Sequence, residues 1–233
     1  MTSLESLTDP VAFAALFDHT LLKPEAKPAD IRTLCREARE YGFKGVCVNP
    51  CYVALAAREL AGSPQLPMAV VGFPLGANRT DVKIDETLRA VGDGAKEVDM
   101  VINVGLYLAG EQTAVRHDIA AVVRSAGSAA GVKVILETAL LTASQITELA
   151  EWCVELGAAF VKTSTGFGPR GASVDDVRAI AAGVRGRAGI KASGGVRTLA
   201  AASELVEAGA TRLGSSSSVQ ILKDFRLKLS QVP

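Results

Sequence analysis

The chain has 233 residues, of which 48% are apolar, and its 25 Lys and Arg residues balance 25 Asp and Glu residues. A net charge near zero without a basic stripe argues against a nucleic-acid partner. No apolar run reaches the roughly 18 residues that span a bilayer, and the N-terminus lacks the basic start and apolar core of a signal peptide, so we expect a cytoplasmic protein with no membrane partner.

The cysteines and histidines do not form a metal-binding pattern. Cys47 and Cys51 make one C-x3-C pair without a second half elsewhere, and His19 and His117 lie in unrelated contexts. Structural zinc sites need four such ligands. We therefore expect the cysteines to be buried free thiols, and we expect no metal and no cofactor.

Short apolar segments alternate with amphipathic helical segments along the whole sequence, beginning with an apolar stretch around Asp18. The predicted strands are residues 16–21, 44–49, 68–73, 97–103, 132–137, 159–163, 190–193 and 211–215. The predicted helices are residues 28–41, 52–61, 82–91, 113–125, 142–156, a segment starting at 173, 198–208 and 219–229. Thr142 and Gln145 fit a capping box at the start of the fifth of these helices.

Eight strand and helix pairs without a linker predict an α/β protein with one (β/α)8 TIM-barrel domain over residues 1–233. Gly42, Gly94, Gly157 and Gly209 each follow a helix and lead into the next strand, which is typical of helix C-termini. The alternative is an open doubly wound sheet. The count of eight strands and the absence of an early GxGxxG motif favour the barrel.

Two lysines stand where predicted strands give way to loops. Lys162 follows Phe160 and Val161 and precedes hydroxyls and glycines, and Lys191 has a similar setting. In parallel barrels this end of the strands carries the chemistry. An amine attacks a carbonyl only when unprotonated, and a neighbouring cation or an apolar pocket lowers a lysine pKa from about 10.4.

We therefore predict Lys162 as a nucleophile beside the cation Lys191. The alternative is that Lys162 points to solvent, or pairs with Glu137 or Asp99.

Asp99 and Asp18 are carboxylates inside apolar strands, where a charge needs partners. Asp99 could pair with the lysines and relay protons through water, or it could be a structural ion pair, and Asp18 is similarly ambiguous. Strand alternation predicts that Asp99 shares a face with Val101 and Asn103.

Two loops have the composition of a phosphate site. Residues 194–197 read Gly-Gly-Val-Arg after the seventh strand, and residues 214–218 read Gly-Ser-Ser-Ser-Ser after the eighth. Glycines allow close backbone approach, hydroxyls donate, and a following helix N-terminus favours an anion. Barrels commonly bind phosphate after strands seven and eight, so these loops predict a phosphate-bearing substrate.

With these residues in place, the chain resembles the deoxyribose-phosphate aldolases, a class I aldolase family, almost from end to end. The resemblance rests on residues 18–23 (DHTLLK), 45–50 (GVCVNP), 71–74 (VGFP), 97–103 (EVDMVIN), 160–167 (FVKTSTGF), 191–197 (KASGGVR) and 214–217 (GSSS). It implies reversible cleavage of 2-deoxy-D-ribose 5-phosphate to D-glyceraldehyde 3-phosphate and acetaldehyde, without a metal, by a homodimer or homotetramer.

The resemblance also implies residue roles. Lys162 would form the Schiff base, Lys191 would lower its pKa, and Asp99 with a water would move protons. The implied substrate-binding and phosphate-binding residues are Asp18, Thr20, Cys47, Thr165, Gly194, Gly195, Arg197, Gly214, Ser216 and Ser217. Some family members use a C-terminal tyrosine in proton transfer, whereas this sequence has none after Tyr107, so we expect either that water performs this step alone or that turnover is slower.

Three other hypotheses remain open at this point. One is a Schiff-base sugar-phosphate aldolase of different substrate, or a transaldolase-like barrel. A second is an isomerase that uses Glu137 as an enolising base. A third is a non-catalytic sensor of phosphorylated sugars.

Overall fold

The structure is a computed structural model that describes residues 5–231. A 3-10 turn at Glu5–Thr8 leads into the first helix. The strands are β1 (Phe17–Leu21), β2 (Gly45–Val48), β3 (Leu66–Val71), β4 (Glu97–Val101), β5 (Gly131–Ile135), β6 (Phe160–Lys162), β7 (Gly189–Ser193) and β8 (Arg212–Ser215). The helices are α1 (Pro10–Ala14), α2 (Pro28–Tyr41), α3 (Val53–Glu59), α4 (Thr80–Gly92), α5 (Val104–Leu108), α6 (Gln112–Ala126), α7 (Ala143–Glu155), α8 (Val174–Val184), α9 (Leu199–Glu207) and α10 (Ser218–Ser230).

All eight strands are parallel and form a closed barrel in chain order, with β8 returning to pair with β1. The predicted (β/α)8 TIM barrel is therefore confirmed, and the open-sheet alternative is wrong. Within the described residues, no helix is both long enough and apolar enough to cross a membrane.

Strand alternation divides the core into two parts of very different chemistry. The outward strand faces, with residues such as Val46, Val98 and Val134, pack against the helices in one large apolar cluster. Inside the barrel, the apolar cluster is small and centres on Cys47, Met68 and Val70. The rest of the barrel interior is therefore left to polar and charged side chains.

Side chains cap the N-termini of three helices, one of which the sequence predicted. The Thr142 side chain accepts a hydrogen bond from Gln145 N–H, and Gln145 Oε1 accepts one from Thr142 N–H at 2.9 Å, which confirms the capping box. Ser173 caps α8 by accepting from Asp176 N–H, and Thr198 caps α9 by accepting from Ala201 N–H. These caps fix where the loops that follow β5, β6 and β7 end.

Strand ends differ from prediction where the chain turns sharply. Residues 68–73 were expected as the third strand, but β3 ends at Val71 because Gly72 adopts a left-handed φ of 61°. Residues 102 and 103 do not extend β4, since the Asn103 side chain caps the short helix α5 by accepting from Leu106 N–H at 3.1 Å. Helices α1 and α5 have only five residues each and were not predicted.

The cysteine prediction is right for three residues and wrong for one. Cys35, Cys47 and Cys153 are buried free thiols, whereas Cys51 is exposed. Cys51 lies in a 3-10 turn, Pro50–Tyr52, that follows β2 on the surface of the barrel. Within the part of the chain that the structure describes, no cluster of three or more His, Cys, Asp or Glu residues is placed to hold a metal ion.

Candidate active site

Among the described residues, three acidic and four basic residues lie together inside the barrel, and none of the seven is more than 8% exposed. They come from six strands: Asp18 on β1, Glu97 and Asp99 on β4, Lys133 on β5, Lys162 on β6, Lys191 on β7 and Arg212 on β8. We call these seven residues the barrel charge cluster. Charges are costly to bury unless they are paired, so their pairing determines what the site can do.

Asp99 lies at the centre of the cluster and joins three lysines. Its Oδ2 atom accepts from Lys162 Nζ at 2.8 Å and from Lys191 Nζ at 2.7 Å. Its Oδ1 atom accepts from Lys133 Nζ at 2.8 Å. Lys162 and Lys191 are direct register neighbours on β6 and β7, so the parallel pairing of these strands brings both amines to one carboxylate oxygen.

The remaining pairs extend the cluster toward β1 and β8. Lys191 Nζ lies 2.5 Å from Asp18 Oδ2, and Arg212 donates to Asp18 Oδ1 at 2.8 Å. Glu97 accepts from Arg212 at 2.9 Å and lies 2.7 Å from Lys133 Nζ. Within the cluster, Lys191 and Arg212 each contact two carboxylates and Lys133 contacts three, whereas Lys162 contacts one, Asp99.

This unequal pairing separates the lysine pKa values. Burial lowers the pKa of Lys162; Asp99 opposes this effect, and the charge of Lys191 adds to it. Burial acts on Lys191 and Lys133 too, but nearby carboxylates, Asp18 and Asp99 for both residues, outweigh it and raise both pKa values. Lys162 is thus the lysine of the barrel charge cluster that loses its proton most readily.

Asp18 and Asp99 both have lowered pKa values and remain charged over the whole physiological range. Burial alone would raise the pKa of Asp18, but Lys191, Lys133 and Arg212 outweigh it and lower the value to about 2. The same opposition holds the pKa of Asp99 well below its ordinary value, with Lys133 as the largest favourable contribution. Three carboxylates then face four cationic groups, and the charges balance when Lys162 is neutral.

Cys47 lies next to this centre but is not an activated thiol. Its Sγ atom is 4.0 Å from Asp99 Oδ2, and burial raises its pKa to about 11. Thiolate is the nucleophilic form of cysteine. A protonated Cys47 therefore does not compete with Lys162 for a carbonyl, and it packs in the small apolar cluster inside the barrel.

A cavity of about 220 Å³ opens on the cluster at the carboxyl ends of the strands. Of the predicted site residues, it is lined by Thr20, Lys162, Lys191, Gly194, Gly195, Arg197, Gly214 and Ser216. Asp99, Asp18 and Cys47 do not line it, and contact the two lysines or Asp99 from within the barrel. The predicted amines and the predicted phosphate loops therefore share one cavity.

Two of the predicted substrate-binding residues, Thr165 and Ser217, form hydrogen bonds outside this cavity. Thr165 directs its hydroxyl to Glu137 Oε2 and also donates its N–H to the same oxygen at 3.3 Å. Ser217 lies just before α10 and donates its N–H to Ser215 Oγ at 2.9 Å. Neither residue lines the cavity, so any contact of theirs with a substrate would require this bonding to rearrange.

The loop after β7 has the backbone shape of an anion cradle. Gly194 and Gly195 are consecutive residues with φ of 85° and 75°, a conformation that L side chains rarely adopt. Nearby, the α10 N-terminus has no side-chain cap from Ser217, which leaves helix N–H groups available to an anion. Arg197 is exposed beside them and adds a positive charge.

Gly214 is required by packing against the catalytic region. A Cβ atom there would lie 2.8 Å from Ser193 Cβ and 3.1 Å from Lys191 Cε. We expect Gly214→Ala to lower the free energy of unfolding by about 1–3 kcal/mol, as overpacking does, and to displace Lys191 from its partners. Denaturant unfolding measures the first effect. Gly195→Ala is the comparison variant, because a Cβ atom at residue 195 meets open space, although the backbone there is strained for alanine. Unchanged unfolding and activity in Gly214→Ala would contradict this assignment.

Sequence reasoning missed three members of the barrel charge cluster: Lys133, Glu97 and Arg212. Lys133 had a detectable signal, because it interrupts the apolar segment Val132–Ile135 as Asp99 interrupts its own strand. Glu97 and Arg212 stand at strand starts, where a charge is ordinarily solvated. Arg212 instead reaches the interior and also covers the Phe160 ring at 4.7 Å.

The closed eight-stranded barrel holds a buried amine of lowered pKa beside an anion cradle, at the carboxyl ends of its strands. This arrangement is typical of enzymes in which a lysine amine attacks a carbonyl group. Residues 12–222 match the family model described as DeoC/LacD family aldolase. The chain belongs to this aldolase family.

Named relatives agree with this assignment over nearly the whole chain. It is 47% identical over 220 residues to a deoxyribose-phosphate aldolase of Thermoanaerobacter sp. (strain X514), covering 93% of this chain and 99% of that one. It is 48% identical to that of Clostridium tetani, covering 90% and 97%. The tetrameric deoxyribose phosphate aldolase structure from Aeropyrum pernix superposes with a TM-score of 0.89 at 34% identity, covering 96% and 95%.

Proposed function

We propose that this chain is a deoxyribose-phosphate aldolase that reversibly cleaves 2-deoxy-D-ribose 5-phosphate to D-glyceraldehyde 3-phosphate and acetaldehyde. The observation that carries the proposal is a single cavity lined by Lys162, whose pKa is lowered by burial, and by the cradle residues Gly194 and Gly195. Relatives named for this activity, matched over almost their full length, support the substrate. In this proposal residues 1–233 act as one cytoplasmic domain that needs no metal or cofactor.

The first chemical step uses the neutral amine. Lys162 Nζ attacks the C1 carbonyl of the open-chain sugar to form a carbinolamine, which loses water to give an iminium. Asp99 Oδ2 contacts both Lys162 and Lys191, so it can pass a proton from Lys191 toward the leaving hydroxyl, with a water completing the path. Because its pKa is very low, Asp99 relays the proton without storing it.

Carbon–carbon cleavage follows from the iminium. A water oriented by the site removes the proton of the C3 hydroxyl, the C2–C3 bond breaks, and its electron pair moves to the iminium nitrogen as an enamine. D-Glyceraldehyde 3-phosphate leaves. The proton taken from the C3 hydroxyl is then added to the enamine carbon. Hydrolysis of the new iminium releases acetaldehyde, returns Lys162 as the free amine and gives a proton back to Lys191.

The phosphate position accounts for the loops after β7 and β8. We propose that the phosphate lies on Gly194, Gly195, Arg197 and the serines at residues 216 and 217. Backbone amides and the α10 N-terminus would donate to its oxygens. This arrangement holds the far end of the sugar while the aldehyde end faces Lys162.

Arg197→Ala is expected to lower kcat/KM for 2-deoxy-D-ribose 5-phosphate by about 10-fold, since an exposed charge contact contributes modestly. The loss should appear mainly in KM, because Arg197 does not contact the reacting carbons. Steady-state kinetics with unphosphorylated 2-deoxy-D-ribose provides the control, because that substrate should be unaffected. Equal losses for both sugars would place the phosphate elsewhere.

Product analysis and borohydride trapping test the proposed function together. The purified chain incubated with 2-deoxy-D-ribose 5-phosphate should release acetaldehyde and D-glyceraldehyde 3-phosphate. Borohydride reduction in the presence of acetaldehyde should attach a two-carbon adduct to the peptide that contains Lys162. An adduct without this cleavage would support a Schiff-base aldolase of another substrate, and binding without turnover or adduct would support a sugar-phosphate sensor.

We also propose that the enzyme self-associates as a homodimer or homotetramer. The support is the relative from Aeropyrum pernix, which is described as a tetramer. Sedimentation equilibrium tests the proposal, and a monomer at all concentrations would contradict it.

A further inference from the structure

A second cavity, of about 240 Å³, lies beside the one that holds Lys162. Phe167 lines both cavities. The walls of the second cavity are mostly apolar, and three large apolar side chains at its rim are exposed: Leu75 by 78%, Phe167 by 55% and Leu140 by 47%. Exposed apolar residues that converge on a cavity are typical of a ligand site.

Glu137 is the single acidic residue in the wall of this cavity. It is only 6% exposed. Its Oε2 atom is occupied by the N–H and hydroxyl of Thr165. Its Oε1 atom is buried and has no hydrogen-bond partner among the described residues. Buried polar atoms in folded proteins are nearly always paired, so each exception requires an explanation.

The backbone of Glu137 is unusual as well. Its φ of 56° and ψ of 62° place it in the left-handed region, which is uncommon for residues other than glycine. Such strained residues concentrate at binding and catalytic sites. This conformation lies directly after β5, where the chain enters the short 3-10 helix at Thr138–Leu140.

Gly168 shows which way the unpaired oxygen faces. A Cβ atom on Gly168 would lie 2.7 Å from Glu137 Oε1, and Gly168 and Glu137 both line the cavity. A side chain at residue 168 would therefore cover this oxygen. Its backbone φ is not in the left-handed region, so the conformation itself does not require glycine.

We propose that this cavity is a second binding site, for a small neutral molecule with an apolar body the size of a ring and one hydroxyl group that donates to Glu137 Oε1. A dry cavity of about 150 Å³ accommodates benzene, so the larger volume here holds a ring with a short hydroxyl-bearing arm. The apolar walls contact the ring, and the hydroxyl satisfies the carboxyl oxygen. The proposal does not depend on the substrate cleaved at Lys162.

Benzyl alcohol and toluene form a matched pair of probes, because they differ by the hydroxyl group. Saturation-transfer NMR on the purified full chain should show saturable binding of benzyl alcohol, and binding of toluene that is weaker by about 10-fold, the value of one hydrogen bond to a buried carboxyl group. No binding of benzyl alcohol, or equal binding of the two probes, would overturn the proposal.

Two variants locate the binding. Gly168→Ala should remove the preference for benzyl alcohol, because its methyl group covers Oε1. Leu140→Trp should weaken the binding of both probes, because the larger side chain fills the cavity from its exposed rim. This variant tests the location of the site if Gly168→Ala fails to fold. Leu88→Trp, at a similarly exposed leucine on α4, is the control and should change neither. Unchanged binding in both folded cavity variants would place the site elsewhere.

Discussion

Replacing Lys162 with methionine is expected to reduce kcat by about 10⁵-fold or more, the scale seen when an enzyme loses its nucleophile. No other lysine can take over, because Lys133 and Lys191 both have raised pKa values and are held by two or more carboxylates. The acetaldehyde adduct trapped by borohydride should disappear with the activity. Quenched-flow product analysis and peptide mass mapping measure the two losses.

The same variant should fold normally. Lys162→Met removes the one cation that exceeds the number of carboxylates in the barrel charge cluster, so three cations then face three carboxylates. Lys228→Met, at an exposed position on α10, is the matched control and should retain full activity. Persistent turnover in Lys162→Met would instead favour an isomerase that uses Glu137 as its base.

The sequence was sufficient to predict the barrel because its eight strands and the helices between them have local signals, whereas the short helices α1 and α5 were not predicted. Gly42 and Gly157 adopt the left-handed conformation at helix ends, and Thr142 caps α7 as its spacing with Gln145 predicts. Strand bounds were less certain where one residue changes the direction of the chain. Gly72 ends β3 two residues before the predicted end, a turn that the apolar segment itself does not reveal.

The candidate site was predictable in its central residues and not in their pairing. Lys162, Lys191 and Asp99 interrupt apolar strands, so their burial and need for partners follow from the sequence. Which carboxylate meets which amine depends on strand register and on the direction of each side chain. Lys133 interrupts a strand in the same manner, yet only the closed barrel shows that it also contacts Asp99.

The prediction that Lys191 lowers the pKa of Lys162 did not include the opposing effect of Asp99. Lys191 does act to lower the pKa of Lys162, but burial is the larger cause, and Asp99 opposes both. The site is therefore better described as a balance among charges than as repulsion between two amines. Glu137 illustrates a different limit, because neither its left-handed backbone nor its unpaired oxygen has a signature in the sequence.

Opposite shifts of the pH profile are expected when the two charges nearest Lys162 are removed one at a time. The neutral amine is the reactive form, so activity rises as pH passes the pKa of Lys162. Lys191→Met removes a positive charge that lowers this pKa; the pKa rises, and the activity profile moves to higher pH. Asp99→Asn removes a negative charge that raises it; the pKa falls, and the profile moves to lower pH.

Both variants should also lose activity at their own optimum pH. Asp99→Asn is expected to lose about 10²–10⁴-fold, the usual contribution of general acid–base help, which is less than the loss in Lys162→Met. The rate of borohydride-trapped adduct formation as a function of pH separates amine ionisation from later steps. Circular dichroism checks the fold, since leaving a buried charge without its partner can cost about 3–5 kcal/mol.

The directions of these shifts distinguish a charge balance from simple steric support. If Lys191 and Asp99 only held Lys162 in place, both variants would lose rate without moving the profile, or would move it the same way. A shift to lower pH in Lys191→Met would contradict the proposed electrostatics, because removing a cation cannot by itself favour deprotonation of its neighbour. The balance between three carboxylates and four cationic groups therefore sets the pKa of Lys162. Removing the cation Lys191 is predicted to raise this pKa, and removing the carboxylate of Asp99 is predicted to lower it.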